Sequence, residues 1–238
     1  MGFFANQISA VGRSRPLQVV LGVTGGIAAY KSVTLVRLLR KAGIEVHVIP
    51  TQSALEMVGK TTWEAISGNQ VYLGTAENAA DVTHVRFGQQ ADLIVIAPIT
   101  ANTVAKLRAG IADNLLCSTV LAARCPILLA PAMHTEMWNN PATMENISVL
   151  KSRGFQFIGP ESGQLTGTDS GLGRMSEPED IFLRVKELLT PDESAADLTN
   201  HDSEPILAGK KFFSAAAEHT RKSIRFGILE TVQLAQWR

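Results

Sequence analysis

The 238 residues include 22 Lys and Arg and 22 Asp and Glu, so the formal net charge is zero at pH 7. This balance argues against a chain whose overall field attracts nucleic acid or an anionic membrane surface. Hydrophobic residues make up 45% of the chain, which is ordinary for one large globular domain with or without an appendage.

The sequence shows neither a secretion signal nor a membrane-spanning run, and its cysteines lack the pattern of a metal site. Residues 1–16 have no long apolar core of a secretion signal, and the longest apolar runs are too short to cross a bilayer. Cys117 and Cys125 lie in apolar surroundings, without the companions of a metal site or a disulfide scaffold. These features predict a cytoplasmic protein with buried free thiols, no bound metal and no membrane partner.

The first fifty residues predict one βαβ unit. Residues 17–23 form a continuous aliphatic run, which is typical of a buried parallel strand. A glycine turn at residues 24–26 leads into a helical pattern over residues 28–42. A second strand is predicted over residues 45–49.

The alternation of strands and helices continues to residue 189. Near-continuous apolar strands followed by amphipathic helices imply a parallel sheet that is covered on both faces. We therefore predict an α/β fold, a three-layer αβα sandwich with a flavodoxin-like or Rossmann-like parallel sheet, whose ligands bind at the carboxyl ends of the strands. The remaining predicted strands are 92–97, 127–130 and 155–158, and the remaining predicted helices are 102–108, 113–123, 145–153 and 178–189.

Two segments interrupt this alternation. Residues 159–176 contain five glycines among polar residues, which predicts a long flexible loop of the kind that often forms a lid. Residues 191–205 are rich in Asp, Glu, Ser, Thr and Asn and predict a solvated linker.

Polar residues after the first three strands are candidates for ligand contacts. The glycine turn matches neither the dinucleotide fingerprint nor the Walker pattern, so it is either a phosphate site or a tight structural turn. Thr51 and Ser53 either face the same crevice or cap the next helix. Thr100, Asn102 and Thr103 leave the same two alternatives open.

Two further candidates are an apolar segment and a lone histidine. Residues 131–138 follow the fourth strand as a loop with Met and Trp side chains, which predicts a seat for a flat ligand. His84, just before the third strand, has the chemistry of a base or electrophile near neutral pH, or a structural role.

Five motifs occur in order within residues 17–190. They are Gly25-Gly26-Ile27-Ala28-Ala29-Tyr30-Lys31, the segment around His84, Pro98-Ile99-Thr100-Ala101-Asn102-Thr103, Gly110-Ile111-Ala112-Asp113-Asn114-Leu115-Leu116, and Pro131-Ala132-Met133 through Met137-Trp138. Together they closely resemble the FMN-dependent phosphopantothenoylcysteine decarboxylases of coenzyme A synthesis, within the homo-oligomeric flavin-containing cysteine decarboxylases.

The resemblance implies a reaction and a set of site residues. Phosphopantothenoylcysteine loses CO2 to become phosphopantetheine, and FMN ends unchanged. His84 is the implied catalytic histidine, and because the family holds FMN at subunit contacts, self-association as a trimer or a multiple of trimers is implied. The implied FMN contacts are Gly25, Gly26, Thr51, Ser53, Thr100, Ala101, Asn102, Thr103 and Met133, and the implied substrate contacts are Asn114, Met137, Thr168 and Arg174.

The chain departs from the family pattern at two positions. His134 stands where many members have an Asn that holds the substrate carboxylate, and it still donates a hydrogen bond but also titrates. Gly167 stands in place of the loop Cys that gives the proton in the last step. Another acid must then serve, and Asp169 and Thr168 are the candidates.

Three other functions stay open at this stage. One is decarboxylation of the C-terminal cysteine of a peptide, and another is flavin prenyl transfer. The third is a non-catalytic flavin-binding regulatory subunit, which the absence of the loop Cys would suit.

The end of the chain predicts a second, incomplete unit. In bacteria this decarboxylase is commonly fused to a synthetase that begins with a segment like residues 207–213. A shift of reading frame over suitable codons for residues 224–235 restores a synthetase motif. We therefore expect an FMN-binding decarboxylase domain at 1–190, a linker at 191–206, and a truncated, frameshifted synthetase start at 207–238, without synthetase activity.

Overall fold

The computed structural model describes residues 15–75, 77, 82–165, 167 and 169–190. The predicted linker at 191–206, the predicted synthetase start at 207–238 and the candidate residue Thr168 lie outside the described residues. Both domain boundaries therefore stay predictions from sequence.

Five parallel strands form the central sheet, in the order β2-β1-β3-β4-β5. Because the chain winds outward in both directions from β1, the predicted flavodoxin-like order is confirmed. The three inner strands β1, β3 and β4 are buried on both faces, as their continuous apolar runs require. Their bounds are β1 Gln18–Val23, β2 Glu45–Pro50, β3 Leu93–Ile99, β4 Ile127–Pro131 and β5 Gln156–Phe157.

Helices cover both faces of the sheet. Alternate strand residues separate two hydrophobic clusters, with Val19 and Leu21 in one and Val20 in the other. Helices α1, α3 and α9 contribute to the first cluster, and α4, α5, α6 and α8 to the second. The helices are α1 Ala29–Lys41, α2 Gln52–Leu55, α3 Lys60–Ser67, α4 Thr83–Gln90, α5 Ala101–Ala109, α6 Leu115–Leu121, α7 Thr135–Asn139, α8 Pro141–Ser152 and α9 Pro178–Leu189.

The prediction of a flexible loop over residues 159–176 is wrong. Its two halves pair as an antiparallel hairpin, β6 Glu161–Gln164 and β7 Ser170–Arg174. Glycine and serine dominate both strands, so no alternation of apolar and polar residues marked them in the sequence.

Three helices also differ from the predictions. His84 lies within α4 instead of directly preceding a strand, and residues 135–139 of the predicted loop form α7. Helix α8 begins four residues before the predicted start at residue 145, because Pro141 suits a first helical turn and the Asn140 side chain accepts a hydrogen bond from the Ala142 amide at 3.0 Å. None of the described helices combines the length and apolar character needed to span a membrane.

Candidate active site

A cavity of about 610 Å³ opens at the carboxyl ends of β1, β3 and β4. The order of the sheet reverses between β1 and β3, and ligands of such sheets bind in the crevice that this reversal creates. The predicted site residues that line the cavity are Gly25, Gly26, Thr100, Met133, His134, Met137 and Arg174.

The glycine turn is packed against the start of α2. A Cβ built on Gly25 would lie 2.5 Å from the Oγ of Ser53, so only glycine allows this approach. The Thr51 Oγ1 and Ser53 Oγ atoms are 3.5 Å apart. Although Thr51 is the N-cap residue of α2, its side chain makes no capping hydrogen bond. Its hydroxyl is therefore available to a ligand, although neither Thr51 nor Ser53 lines the cavity itself.

Thr24 joins the ends of β1 and β3. Its buried hydroxyl donates to the Pro98 carbonyl at 2.9 Å and accepts from the Thr100 amide at 3.0 Å. Thr100 is the N-cap residue of α5, but its hydroxyl makes no capping bond and lies 3.5 Å from that of Thr103. Neither Thr51 nor Thr100 therefore uses its hydroxyl to cap the helix that follows it.

His134 binds two carboxylates. Its Nδ1 lies 3.0 Å from Oε2 of Glu136, and its Nε2 lies 3.1 Å from Oδ2 of Asp169 at the end of the hairpin. A neutral imidazole has only one N–H, so both carboxylates are satisfied only by the protonated ring. The hydrogen bond that the ring donates to Glu136, and then the charge of Asp169, raise the pKa of His134 above its ordinary value.

The pairing of His134 is expected to depend on pH. A raised folded-state pKa means that the contribution to stability is complete below the unfolded-state pKa, about 6.5, and disappears as the pH rises through the folded value. We expect Glu136→Gln to lower the pKa of His134 more than Asp169→Asn does, in an NMR titration of the ring. His47, whose pKa is lowered chiefly by burial, is the internal control and should not shift. An unmoved His134 titration in Glu136→Gln would refute this pairing.

The hairpin is docked on the segment after β4 through glycines. The Met133 amide donates to the Gly173 carbonyl at 3.0 Å. Gly173 has a φ of +156°, and a Cβ there would overlap the Met133 carbonyl oxygen. A Cβ on Gly171 would likewise overlap the hydroxyl of Thr135. The close approach of β7 to this wall of the cavity therefore requires glycine at both positions.

Other predicted site residues lie outside the cavity. Ala101, Asn102 and Thr103 belong to the first turn of α5, directly after Thr100. Asn114 caps α6, where its Oδ1 accepts from the Cys117 amide at 2.9 Å.

His84 is the largest departure from the expected arrangement, because it does not line the cavity. It lies in the first turn of α4, after Val82, a β-branched residue at a φ of +40°. Helix α4 packs over β2 through rings of Phe87 and His47 whose centroids are 4.9 Å apart, and it leads into the start of β3. Its first turn therefore points to the edge of the sheet that carries the cavity. Among the described residues the buried Nδ1 of His84 has no hydrogen-bond partner.

Lys31 and Glu177 were missed by the sequence analysis. Lys31 lines the cavity from α1, and its Nζ lies 2.9 Å from Oε1 of Glu177. The Lys belongs to the first motif, which was a signal, but nothing in the sequence indicates a partner 146 residues away. No Asp or Glu lines the cavity in the part of the chain that the structure describes.

Neither cysteine belongs to the site. Cys117 is buried, Cys125 is only partly buried, and neither lines the cavity. Burial raises the pKa of both thiols, so neither is activated as a thiolate. Within the described ranges no group of His, Cys, Asp or Glu is arranged to hold a metal ion.

Comparisons with known proteins agree on one family. The Flavoprotein family matches residues 8–190. The coenzyme A biosynthesis bifunctional protein CoaBC of Mycolicibacterium smegmatis is 55% identical over 172 residues, which are 72% of this chain and 42% of that protein. CoaBC of Mycobacterium tuberculosis is 50% identical over 202 residues, 84% of this chain and 46% of that protein. The chain thus spans less than half the length of these curated relatives.

Several solved structures match this chain over nearly their whole length. A variant PPC decarboxylase complexed with pantothenoylaminoethenethiol is 32% identical with a TM-score of 0.67, over 73% of this chain and 98% of that chain. The FMN binding protein AtHal3 is 33% identical with a TM-score of 0.64, over 73% of this chain and 96% of that chain. The FMN-dependent cysteine decarboxylase SpaF is 30% identical with a TM-score of 0.62, over 73% of this chain and 95% of that chain.

Proposed function

The chain belongs to the Flavoprotein family, and from this membership we propose that it is an FMN-dependent decarboxylase that converts phosphopantothenoylcysteine to phosphopantetheine in coenzyme A biosynthesis. The observation that carries the proposal is the match to a PPC decarboxylase over 98% of that chain, joined to CoaBC relatives at 50% to 55% identity. We assign decarboxylation to residues 8–190, because the matched region corresponds to the decarboxylase part of the bifunctional relatives.

The residues at the strand ends fit FMN. The close contact of Gly25 with Ser53 places the Ser53 hydroxyl against the glycine turn that precedes α1, and a hydroxyl donor beside a helix N-terminus suits a phosphate. A Cβ on Gly26 would lie 3.6 Å from the Cγ2 atom of Thr100, so the turn and Thr100 are neighbours in the lining of the cavity. We therefore propose that FMN is held here by the residues that the resemblance implied. When bound, it supplies the acceptor and donor of the two electrons that the reaction moves.

The charges of the cavity suit a carboxylated substrate. Lys31, His134 and Arg174 line it, whereas the carboxylates that pair with them, Glu177, Glu136 and Asp169, do not, so the described surface that faces a ligand is cationic and attracts a carboxylate. Met133, Met137 and Ile27 supply an apolar wall that excludes water, which favours the loss of a charged carboxylate as neutral CO2.

His134 and Asp169 are proposed as the source of the proton in the last step. The relatives' loop Cys has Gly167 in its place here, and the hairpin brings Asp169 within 3.1 Å of the His134 ring. The hydrogen bond to Glu136 and the charge of Asp169 raise the pKa of His134 and favour its imidazolium form, which can give a proton to a ligand in the cavity that the ring lines.

We propose that a second copy of the chain completes the site. His84 does not line the cavity of its own chain, while Ile27, Tyr30 and Met137 at that cavity are from 49% to 61% exposed. Exposed apolar side chains gathered at a site favour burial by a ligand or by a partner surface. The trimer implied by the resemblance would place His84 of one copy at the cavity of the next.

Mixed oligomers test this arrangement. His84→Asn and Gly25→Ala should each be inactive alone, with folding checked by circular dichroism. Refolding the two together should restore about a quarter of the sites if each site uses the cavity of one chain and the histidine of another. A mixture as inactive as its parents would show that His84 acts within its own chain.

Substrate choice separates the proposed function from its alternatives. We expect CO2 release from phosphopantothenoylcysteine and little from a peptide that ends in cysteine. The reverse preference would assign the chain to peptide modification, and activity with neither would favour the regulatory flavin-binding subunit.

A further inference from the structure

Two cations beside the cavity share one carboxylate. Lys31, the third residue of α1, and Arg174, the last residue of β7, both line the cavity. The Lys31 Nζ atom lies 2.9 Å and the Arg174 Nη2 atom 2.8 Å from the same oxygen, Oε1 of Glu177. Since one carboxylate neutralises only one of them, the cluster keeps a net positive charge.

Glu177 stands behind the two cations. It does not line the cavity, and as the N-cap residue of α9 it joins three elements, α1, β7 and α9. The Lys31 side chain is only 14% exposed although its ammonium group is charged. Long cationic side chains lose rotamer freedom when they bind, and the shared carboxylate imposes that order before a ligand arrives.

Arg174 also keeps hydrogen-bond donors without acceptors. A guanidinium group has five N–H donors in a planar fork, and Glu177 accepts from Nη2. The buried Nε has no partner in the part of the chain that the structure describes. Leaving a buried donor unpaired is unfavourable, so the arrangement favours a ligand that brings several acceptor oxygens.

Taking the proposed decarboxylation as its basis, we propose that Lys31 and Arg174 bind the phosphate monoester of the substrate, with Glu177 as a positioning residue. A phosphate monoester carries between one and two negative charges and three acceptor oxygens, which match an ammonium group beside a guanidinium fork. The cluster would then determine specificity for phosphorylated over unphosphorylated substrate.

The substrate carboxylate and the FMN phosphate are proposed to bind elsewhere in the cavity. The carboxylate that leaves as CO2 must lie near the flavin, and the resemblance implies that His134 holds it. The FMN phosphate is proposed at the glycine turn beside Ser53, which follows β2. Arg174 belongs to the hairpin docked after β4, and β4 is two strand spacings, roughly 10 Å, from β1, which the glycine turn follows.

The test compares ligands that differ only in the phosphate. The FMN-loaded protein is titrated calorimetrically with phosphopantetheine and with pantetheine, and kcat/KM is measured for the corresponding cysteine substrates. We expect wild type to prefer the phosphorylated members, and Lys31→Met and Arg174→Met each to reduce that preference at least about tenfold. Affinity for pantetheine should change little.

A matched control removes a similar pair from the same region. Arg184 and Glu187 on α9 have the same spacing as Arg174 and Glu177, with a distance of 2.7 Å, and neither lines the cavity. Arg184→Met should leave the preference for phosphate unchanged. A reduced preference in Arg184→Met would trace the effect to α9 stability and overturn the proposal.

Three other results would contradict the inference. Wild type without a preference would refute it directly, and equal losses for both ligands in Lys31→Met and Arg174→Met would indicate a structural role. A variant that loses the preference for FMN over riboflavin would assign the cations to the cofactor phosphate instead. If wild type releases no CO2 but still prefers phosphopantetheine, the proposed function fails while the phosphate site stands.

Discussion

Replacing His84 with asparagine is expected to leave FMN bound and to lower turnover by about 10²- to 10⁴-fold. Asparagine keeps a hydrogen-bond donor and an acceptor of similar reach, but it cannot take up or release a proton near pH 7. Flavin content is measured from the absorbance of the purified protein, and turnover from steady-state CO2 release.

The surroundings of this histidine support the expectation. Val82, the N-cap residue of α4, has a φ of +40° that is unfavourable for a β-branched residue, and the buried Nδ1 of His84 two residues later has no partner among the described residues. His201→Asn is the control, because the sequence gives that histidine no part in the site. Undiminished turnover in His84→Asn would remove His84 from the mechanism, and loss of flavin would make it a structural residue.

Replacing Gly173 with alanine is expected to detach the hairpin from the cavity. The added Cβ would overlap the Met133 carbonyl oxygen and lie 3.2 Å from its carbonyl carbon, and backbone atoms cannot move aside as a side chain can. The φ of +156° is also outside the range that alanine readily adopts. We expect a cost of about 1–3 kcal/mol and a rise in KM with a fall in kcat, measured by thermal unfolding and steady-state kinetics.

Gly59 provides the matched substitution for Gly173→Ala. It has a φ of −66°, and nothing lies within 4 Å of a Cβ built on it, so Gly59→Ala should leave stability and kinetics nearly unchanged. Flavin affinity in Gly173→Ala should fall less than kcat/KM, because the glycine turn proposed for the FMN phosphate packs against Ser53, Pro98 and Thr100 and not against β7. Wild-type kinetics in Gly173→Ala would show that the docked hairpin is not needed for the reaction.

The sheet was predictable because its signal is local. Continuous apolar runs such as residues 17–23 form strands buried on both faces, and the glycine turns between strands and helices mark the carboxyl edge. The hairpin could not be found in this way, since Ser170 and Gly171 offer no apolar alternation. Its strands are fixed instead by backbone pairing and by close packing against Met133.

The charged contacts of the site could not be derived from sequence spacing. His134 pairs with Asp169 from another element, and Lys31 meets Glu177 from the far end of the domain. Such pairs depend on how β7 and α9 are placed over the sheet. His84 is a different case. The sequence motif indicated this histidine, but in the fold of a single chain it does not line the cavity.

Anaerobic decarboxylation by the purified chain, with and without FMN, tests the proposed reaction directly. We expect equal amounts of CO2 and phosphopantetheine from phosphopantothenoylcysteine, with FMN required but not consumed. A protein that stays colourless after reconstitution with FMN, or one that binds FMN and releases no CO2, would contradict it.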